Sequence, residues 1–536
     1  MSFVPNDVNN EQISLFDSFS GLTEREQRVL SKSWAKPFAE IIFPAIDETP
    51  FAVLYSTKDS RPNTPVNVLV GASVLQQLTG QSDEEINDSL MFDIRFQYAL
   101  HTTNFQEQPL SDRSLGRFRA RCNAYYDTTG IDLLHDAVMA LTDEMAALMK
   151  LDHQLKRMDS MMVASNIKKM SRLELLYTCV SNLVRKMKRL GLEFPEDLNH
   201  YIEDNDRNAV IYHNRSEETT SKIDTVLNDI KTLLPLCEGK MDDTSEYLLF
   251  IRAIKEQTVA DEAGNYRLRT AADGGMDSNI LQNPADPDAT YRSKAGKEYR
   301  GYTANVVEET NGSGNSLVTD YQFEQNNYSD KKFMEDVLNG MPSQKQEEPI
   351  CIITDGAFTC EDELAAEKNV EIIRTNLTGK DTPDIHAEFE FNEQEDRIIR
   401  CPGGFTPRSC SYNGKNGQCT ASFERSNCES CPYRDRCNPK WHKRTCQKVV
   451  SGKSRRRAIQ QRTRSSEEFK AISAFRNGIE TIPSILRRKY GVDHMPVRGK
   501  TRCRYFFGCK IAALNIKKFC KYLQGLGNCA QNVEPA

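Results

Sequence analysis

PICIITDGAF (349–358) is short, apolar and rich in β-branched side chains, and it closes on Asp-Gly. Such a run, bounded by a turn signal, reads as a buried strand that stops at Asp355. Working outward, a helix is expected at 361–368 and another strand at VEIIRTNL (370–377). Upstream, YTANVVEE (302–309) and SLVTDYQFEQ (316–325) read as strands and 330–340 as a helix. Strand hairpins followed by alternating strand and helix imply a mixed α/β layer. KLDHQLKRMDSMMVAS (150–165) reads as a further strand and turn, which puts Asp159 at a strand end. Between these strands, Ser171-Arg-Leu-Glu174 is a capping box opening a helical stretch to about 255. A Gly-, Asp-, Asn- and Pro-rich loop follows at 262–300.

The N-terminal part is helical in pattern. NVLVGASVLQQLTG (67–80) predicts a helix closed by Gly80, and Ser82-Asp-Glu-Glu85 caps the next. SDRSLGRFRARCNAYYD (111–127) predicts an amphipathic basic helix. Short helices with an arginine-bearing member suit a helix-turn-helix-like DNA binder or a plain bundle.

Charge is uneven. From Pro439 to Lys521 there are 23 Lys and Arg against four acids, a net of +19, whereas the whole chain of 536 residues sums to −6. The remainder therefore carries −25. A basic segment with interleaved aromatics (Phe469, Phe475, Tyr505, Phe507) points to a folded surface for a polyanion, most often nucleic acid. Arg455, Arg456, Arg457, Arg462 and Arg464 are its densest group. No run approaches the ~18–20 apolar residues of a membrane span, and MSFVPNDVNNEQ lacks the basic start and apolar stretch of a secretory signal. Without HExxH or a Gly-rich phosphate loop, a zinc protease and a P-loop enzyme are disfavoured, and no nucleotide cofactor is expected.

Asp159 and Asp355 would project at one sheet edge if their strands are neighbours, and Glu480 sits in the basic segment on a predicted helix. Three such carboxylates can hold two divalent ions, and oxygen ligands suit Mg²⁺ or Mn²⁺. An Asp after a strand is equally an ordinary turn residue. Glu468 is a rival for the third acid but fits N3 of a Ser465-Ser-Glu-Glu468 capping box. Asp277, Asp286 and Asp288 read as solvated or turn residues, and Glu361 and Asp362 as charges favoured at a helix N-terminus. Pro483 predicts a kink or a helix end just after Glu480.

Several stretches together resemble the insertion-sequence transposases of the DDE type, whose core is RNase H-like. KRMDSMMVASNIKKMSRLEL (156–175) resembles the region of the first catalytic Asp, IITDGAF (352–358) that of the second, and FRNGIETIPSILRRKYG (475–491) the Tyr-Arg-Glu-Lys signature. Arg476 and Glu480 match that signature, Arg487 replaces its Lys, and Ser473 replaces its Tyr. SDEEINDSL, IRFQYAL and LSDRSLGRFRAR resemble the family's DNA-binding region, so the likeness runs from about 20 to 525. The resemblance implies Asp159, Asp355 and Glu480 as ligands of two catalytic Mg²⁺ or Mn²⁺ ions. It also implies that Arg476 and Arg487 grip DNA phosphates. It implies an enzyme that binds terminal inverted repeats, cleaves DNA and joins 3′-hydroxyl ends to target DNA. A homodimer is implied because two ends must be held, with a bacterial, cytoplasmic, nucleoid-associated location and no membrane partner. The alternatives are an RNase H-like nuclease that cuts without joining, and an inactive transposase-derived DNA-binding protein.

Seven of the 16 cysteines fall between Cys401 and Cys446. Cys428-x2-Cys431 is a zinc half-site, because a short loop lets two thiolates reach one tetrahedral ion. Cys401 and Cys437 are the chosen partners because the flanking sequence resembles a small Cys-bearing insert of such transposases. Cys410, Cys419, His442 and Cys446 are alternatives, and Cys410 and Cys419 could simply face each other across a turn. The expected architecture is thus an α/β, RNase H-like mixed-sheet core with a helical N-terminal DNA-binding domain at 1–150. The first part of the core is 151–395, with a helical insertion at about 171–260. A Cys-rich zinc insert (396–446), a basic C-terminal core part (447–526) and a tail (527–536) complete it.

Overall fold

The computed structural model describes residues 1–6, 19, 21–58, 60–102, 110–212, 216–294, 296–311, 313–342, 348–376 and 381–531. The last five residues of the expected tail lie outside them. Mixed helix and sheet are arranged in two units. One comprises Met1–Ile350 with Glu480–Ala536, the other Cys351–Ile479.

In the first unit, strand Asp152–Ala164 runs antiparallel to Lys297–Thr310, with Asp159 opposite Val306. On its other edge Lys297–Thr310 pairs first with Thr290–Lys294 and then with Ser316–Gln325. From Gly301 to Thr310 every residue of that central strand is buried. Gly301 has φ +141°, and a Cβ there would overlap the Val163 carbonyl oxygen and the Ser165 amide. Glycine is therefore required where the two strands come closest. The strand expected to end at Asp159 continues five residues further, to Ala164. Asp159 lies in its interior, and the strand ends only at Ala164.

A long helix, Lys500–Gln531, packs against Ser316–Gln325 and against helices Val66–Thr79 and Leu133–Met149. Val66–Thr79 is buried from Val66 to Gln76, as an all-round apolar helix must be, and ends at Gly80 with φ +76°. Asn515 clamps the long helix to the sheet. It accepts from the Val318 amide at 2.9 Å and donates to the Val318 carbonyl at 2.8 Å. Nearby, Glu308 is fully buried between Arg157 (2.6 Å) and Lys518 (2.8 Å). The Ser82 capping box forms as read.

Residues after Ala164 build a separate helical core from Arg172–Leu190, Thr219–Cys237 and Ser245–Gln257, with Leu183, Ile230, Leu233 and Phe250 at its centre. Ser171 caps the first helix through the Glu174 amide, but Glu174 pairs with Lys168 rather than closing the box. The segment read as loop contains a hairpin, Thr258–Ala260 with Tyr266–Leu268. Asp286, read as a turn or solvated residue, is fully buried. It accepts from the Tyr302 hydroxyl at 2.6 Å and the Gly499 amide at 3.2 Å, while Asp288 accepts from the Lys500 amide at 3.0 Å. Both satisfy open amides at the start of the long helix.

In the second unit, Ile350–Thr354, helix Asp362–Glu367 and Val370–Arg374 follow in the order expected, the two strands being neighbours. The Cys-rich segment is an antiparallel sheet in the order Ser409–Asn413, Gln418–Glu424, Thr445–Ser451, Lys440–Trp441. Two helices follow, Gly452–Arg464 and Glu467–Asn477. The second is capped by Ser466, not Ser465, because Ser465 already terminates the preceding helix. Glu468 therefore stands at the second helical position and closes no capping box.

Candidate active site

Asp159 and Glu480 line one cleft of about 540 Å³ within the first unit, with Lys294, Tyr299, Arg487 and Arg488 in its wall. Asp159 is fixed by its strand, and its Oδ1 accepts from the Ser160 amide at 3.0 Å. The Ser160 hydroxyl in turn donates to Asp330 at 2.6 Å, at the start of helix Asp330–Gly340.

Glu480 is placed by a break. The helix ends at Asn477, a 3₁₀ turn spans Gly478–Glu480, and a new helix runs Thr481–Arg488. The interruption expected just after Glu480 thus falls just before it. Pro483 sits in the first turn of the new helix, where its missing N–H removes no helical bond. Ile482, Pro483 and Leu486 are buried. The opposite face presents Glu480, Ser484 and Arg487 to the cleft, at the spacing of one helix face. The α-helix carrying Arg476 ends at Asn477, and Arg476 is 5 % exposed.

Arg487 donates through Nη2 to the Met162 carbonyl at 2.7 Å and through Nε to Asp493 at 3.2 Å. Asp493 also accepts from the Ala164 amide at 3.0 Å. The Glu480 helix is thereby stitched to the Asp159 strand. Lys294, Tyr299 and Asp493 carried no signal in the sequence, since the first two lie in a stretch read as loop.

Asp355 follows the last residue of Ile350–Thr354, in the second unit, as the Asp-Gly reading required. Its Oδ1 accepts from the Ala357 amide at 2.8 Å, an Asx turn that orients the carboxylate. Among the described residues, no three or more His, Cys, Asp or Glu side chains form a ready-made metal set.

Two segments match family models. Residues 25–121 match the transposase domain DUF772, and residues 400–520 match the transposase DDE domain. Both are transposase domains, and together they support an insertion-sequence transposase of the DDE type. The DDE match contains the cysteine cluster and Glu480, while Asp159 and Asp355 lie outside both segments. Neither the curated proteins nor the solved structures contain a match to the chain. Among the described residues, no helix is long and apolar enough to cross a membrane.

Four cysteines of the Cys-rich segment border one space, although among the described residues they do not form a group of three or more side chains placed to hold a metal. Cys401, Cys428, Cys431 and Cys437 line one small cavity of about 20 Å³, together with Phe405 and Phe423. Cys401 enters on a CPGG turn in which the Gly404 amide donates to the Cys401 carbonyl at 2.8 Å. Gly403 lets that turn approach the thiols, since a Cβ there would lie 2.9 Å from Cys431 Sγ. Burial, then the adjoining Cys446, pushes the Cys428 thiol up to about 12. Cys410 and Cys419 touch each other on a hairpin, and burial lifts Cys419 to about 11. His442 bonds Gln447 at 3.1 Å, away from the cavity.

The basic helix Gly452–Arg464 is less open than its composition implied. Arg455 and Arg456 pair with Glu395, and Arg462 with Asp384 and Glu388. Acids some 60–80 positions upstream meet these arginines, which local pattern does not reveal. A second basic cleft, of about 670 Å³, opens in the N-terminal helical region, lined by Arg61, Arg117 and Arg121.

Proposed function

We propose that the chain cleaves DNA at the terminal inverted repeats of an insertion sequence and joins the freed 3′-hydroxyls to target DNA. The supporting observation is the cleft that brings Asp159 and Glu480 together amid Lys294, Arg487 and Arg488, in a chain with two transposase segments. Two carboxylates beside cations suit hard divalent ions and a phosphate at the same place. The third carboxylate of the family's set, assigned on sequence, is Asp355, and the core so defined is RNase H-like. Bound Mg²⁺ or Mn²⁺ ions supply activation of the attacking oxygen and charge stabilisation at phosphorus. The chain's own part is to hold Asp159 on a strand laddered to Lys297–Thr310, to present Glu480 through a helix start, and to fix that helix with Arg487.

The N-terminal helices read the repeats. Arg61, Arg117 and Arg121 supply backbone contacts there. Cys401, Cys428, Cys431 and Cys437 are the thiols that would hold a structural Zn²⁺: they line one small space, and drawing together on the ion would release their protons. The enzyme acts as a homodimer on the bacterial nucleoid, one protomer for each end.

The test is a strand-cleavage and strand-transfer assay with Mg²⁺ or Mn²⁺ on a duplex bearing the element's end. Wild-type protein should nick and join, and Asp159→Asn and Glu480→Gln should each lose at least ~10³-fold while still binding DNA. Free 3′-ends that never join would make it a nuclease. DNA binding with no cleavage, unchanged in both variants, would make it a transposase-derived binding protein.

A further inference from the structure

Helix Gly452–Arg464 carries arginines of two kinds. Arg455 and Arg462, seven residues apart, occupy one face and are matched by Glu395, Asp384 and Glu388. Arg457 and Arg464, also seven apart, lie on the opposite face. They line a cleft of about 540 Å³ within the second unit, with Arg374, Phe469 and the Gly356–Thr359 turn that follows Asp355. Glu371 is the one carboxylate in this wall.

Arg464 is held in place. Its guanidinium lies over the Phe469 ring at 5.4 Å, and its Nη2 donates to the Arg374 carbonyl at 2.5 Å. Its Nη1 is shielded from solvent and has no hydrogen-bond partner among the described residues. Burial, and then the charges of Arg374 and Arg457, make its proton easier to lose than usual. Three cations gathered around one cleft repel one another, and a shielded guanidinium nitrogen without an acceptor is costly. A phosphate removes both penalties, since a guanidinium fork takes phosphate oxygens bidentately.

We propose that this cleft is a phosphodiester subsite that carries a DNA strand past the Asp355 turn, with Arg374, Arg457 and Arg464 on its backbone. The inference rests on the transposase reading and deepens it. The subsite reads no sequence, because phosphate contacts position a strand without specifying its bases.

The experiment titrates the full chain against a duplex bearing the element's end and against an unrelated duplex of equal length, over a series of salt concentrations. Each phosphate contact adds about 0.9 to the slope of log affinity against log salt. The double variant Arg374→Gln/Arg464→Gln should lower that slope by about 2, whereas Arg408→Gln, whose partner is Glu424, should not. The charge-preserving Arg374→Lys/Arg464→Lys should retain it. Should the Gln pair not fold, Arg374→Gln alone should remove about 1, Arg374 being exposed. A slope lost with only one duplex assigns the subsite to element ends or to target DNA, and a slope lost with both assigns it to either strand. A wild-type slope in the Gln variants overturns the subsite and leaves the transposase reading standing. No DNA binding by the wild type overturns that reading itself.

Discussion

Arg487 Nη2 lies 2.7 Å from the main-chain carbonyl oxygen of Met162, so the helix that starts at Glu480 is bound to the strand that carries Asp159. The contact is to backbone, so it does not depend on which side chain stands at 162. Arg487→Ala should leave the fold intact and cut single-turnover cleavage by roughly 10–100-fold, since a shift of about 1 Å in a catalytic group can cost 10². Binding of the duplex should fall much less. Equal losses in binding and cleavage would show that Arg487 grips substrate rather than positions Glu480.

Glu308 is fully buried between two cations, and removal of its charge strands both. Glu308→Gln should cost about 3–5 kcal/mol, the usual penalty for breaking a buried ionic group from one side. Urea unfolding followed by circular dichroism reads this as a lower midpoint. A change below ~1 kcal/mol would mean that water reaches Arg157 and Lys518.

Burial opposes protonation of His135, but hydrogen bonds to Asp136 and Asp320 outweigh it and lift the group to about 9. A histidine raised above its unfolded value of ~6.5 adds stability that is complete below about pH 6.5 and disappears as pH rises through about 9. His135→Gln should therefore unfold more easily than wild type at pH 6, and the two should converge above pH 9. A difference that stays constant over this range would rule out the charged pairing.

Gly403 is the tightest element of the cysteine cavity. Cys431→Ser and Gly403→Ala should both lower the zinc content of purified protein, the first by loss of a thiolate and the second by pushing the CPGG turn off Cys431. Metal analysis after dialysis measures it. Full zinc retention in Cys431→Ser would exclude that thiol as a ligand.

Much of this was legible in the residues because it is local. The apolar run ending in Asp-Gly marks the Asp355 strand, and Gly80 closes its helix, both within a few positions. What was lost is non-local. The sequence around Asp159 reads as a strand end, whereas pairing with Lys297–Thr310 carries the strand on to Ala164. The Pro483 signal gave the right break on the wrong side of Glu480, since proline is tolerated in a first turn. Asp286 looked like a loop residue until the start of a helix more than 200 residues later was found to need its oxygen. Arg462 counted as free charge because its acids lie 74–78 positions away.

The two-unit arrangement also has a temporal side. The second unit is one uninterrupted stretch, while the first is completed only by residues made after it. A ribosome has therefore finished Asp159, the helical insertion and the cysteine sheet before Glu480 exists. During synthesis the cleft therefore lacks its second acid and the strap from Arg487 until translation has passed residue 487.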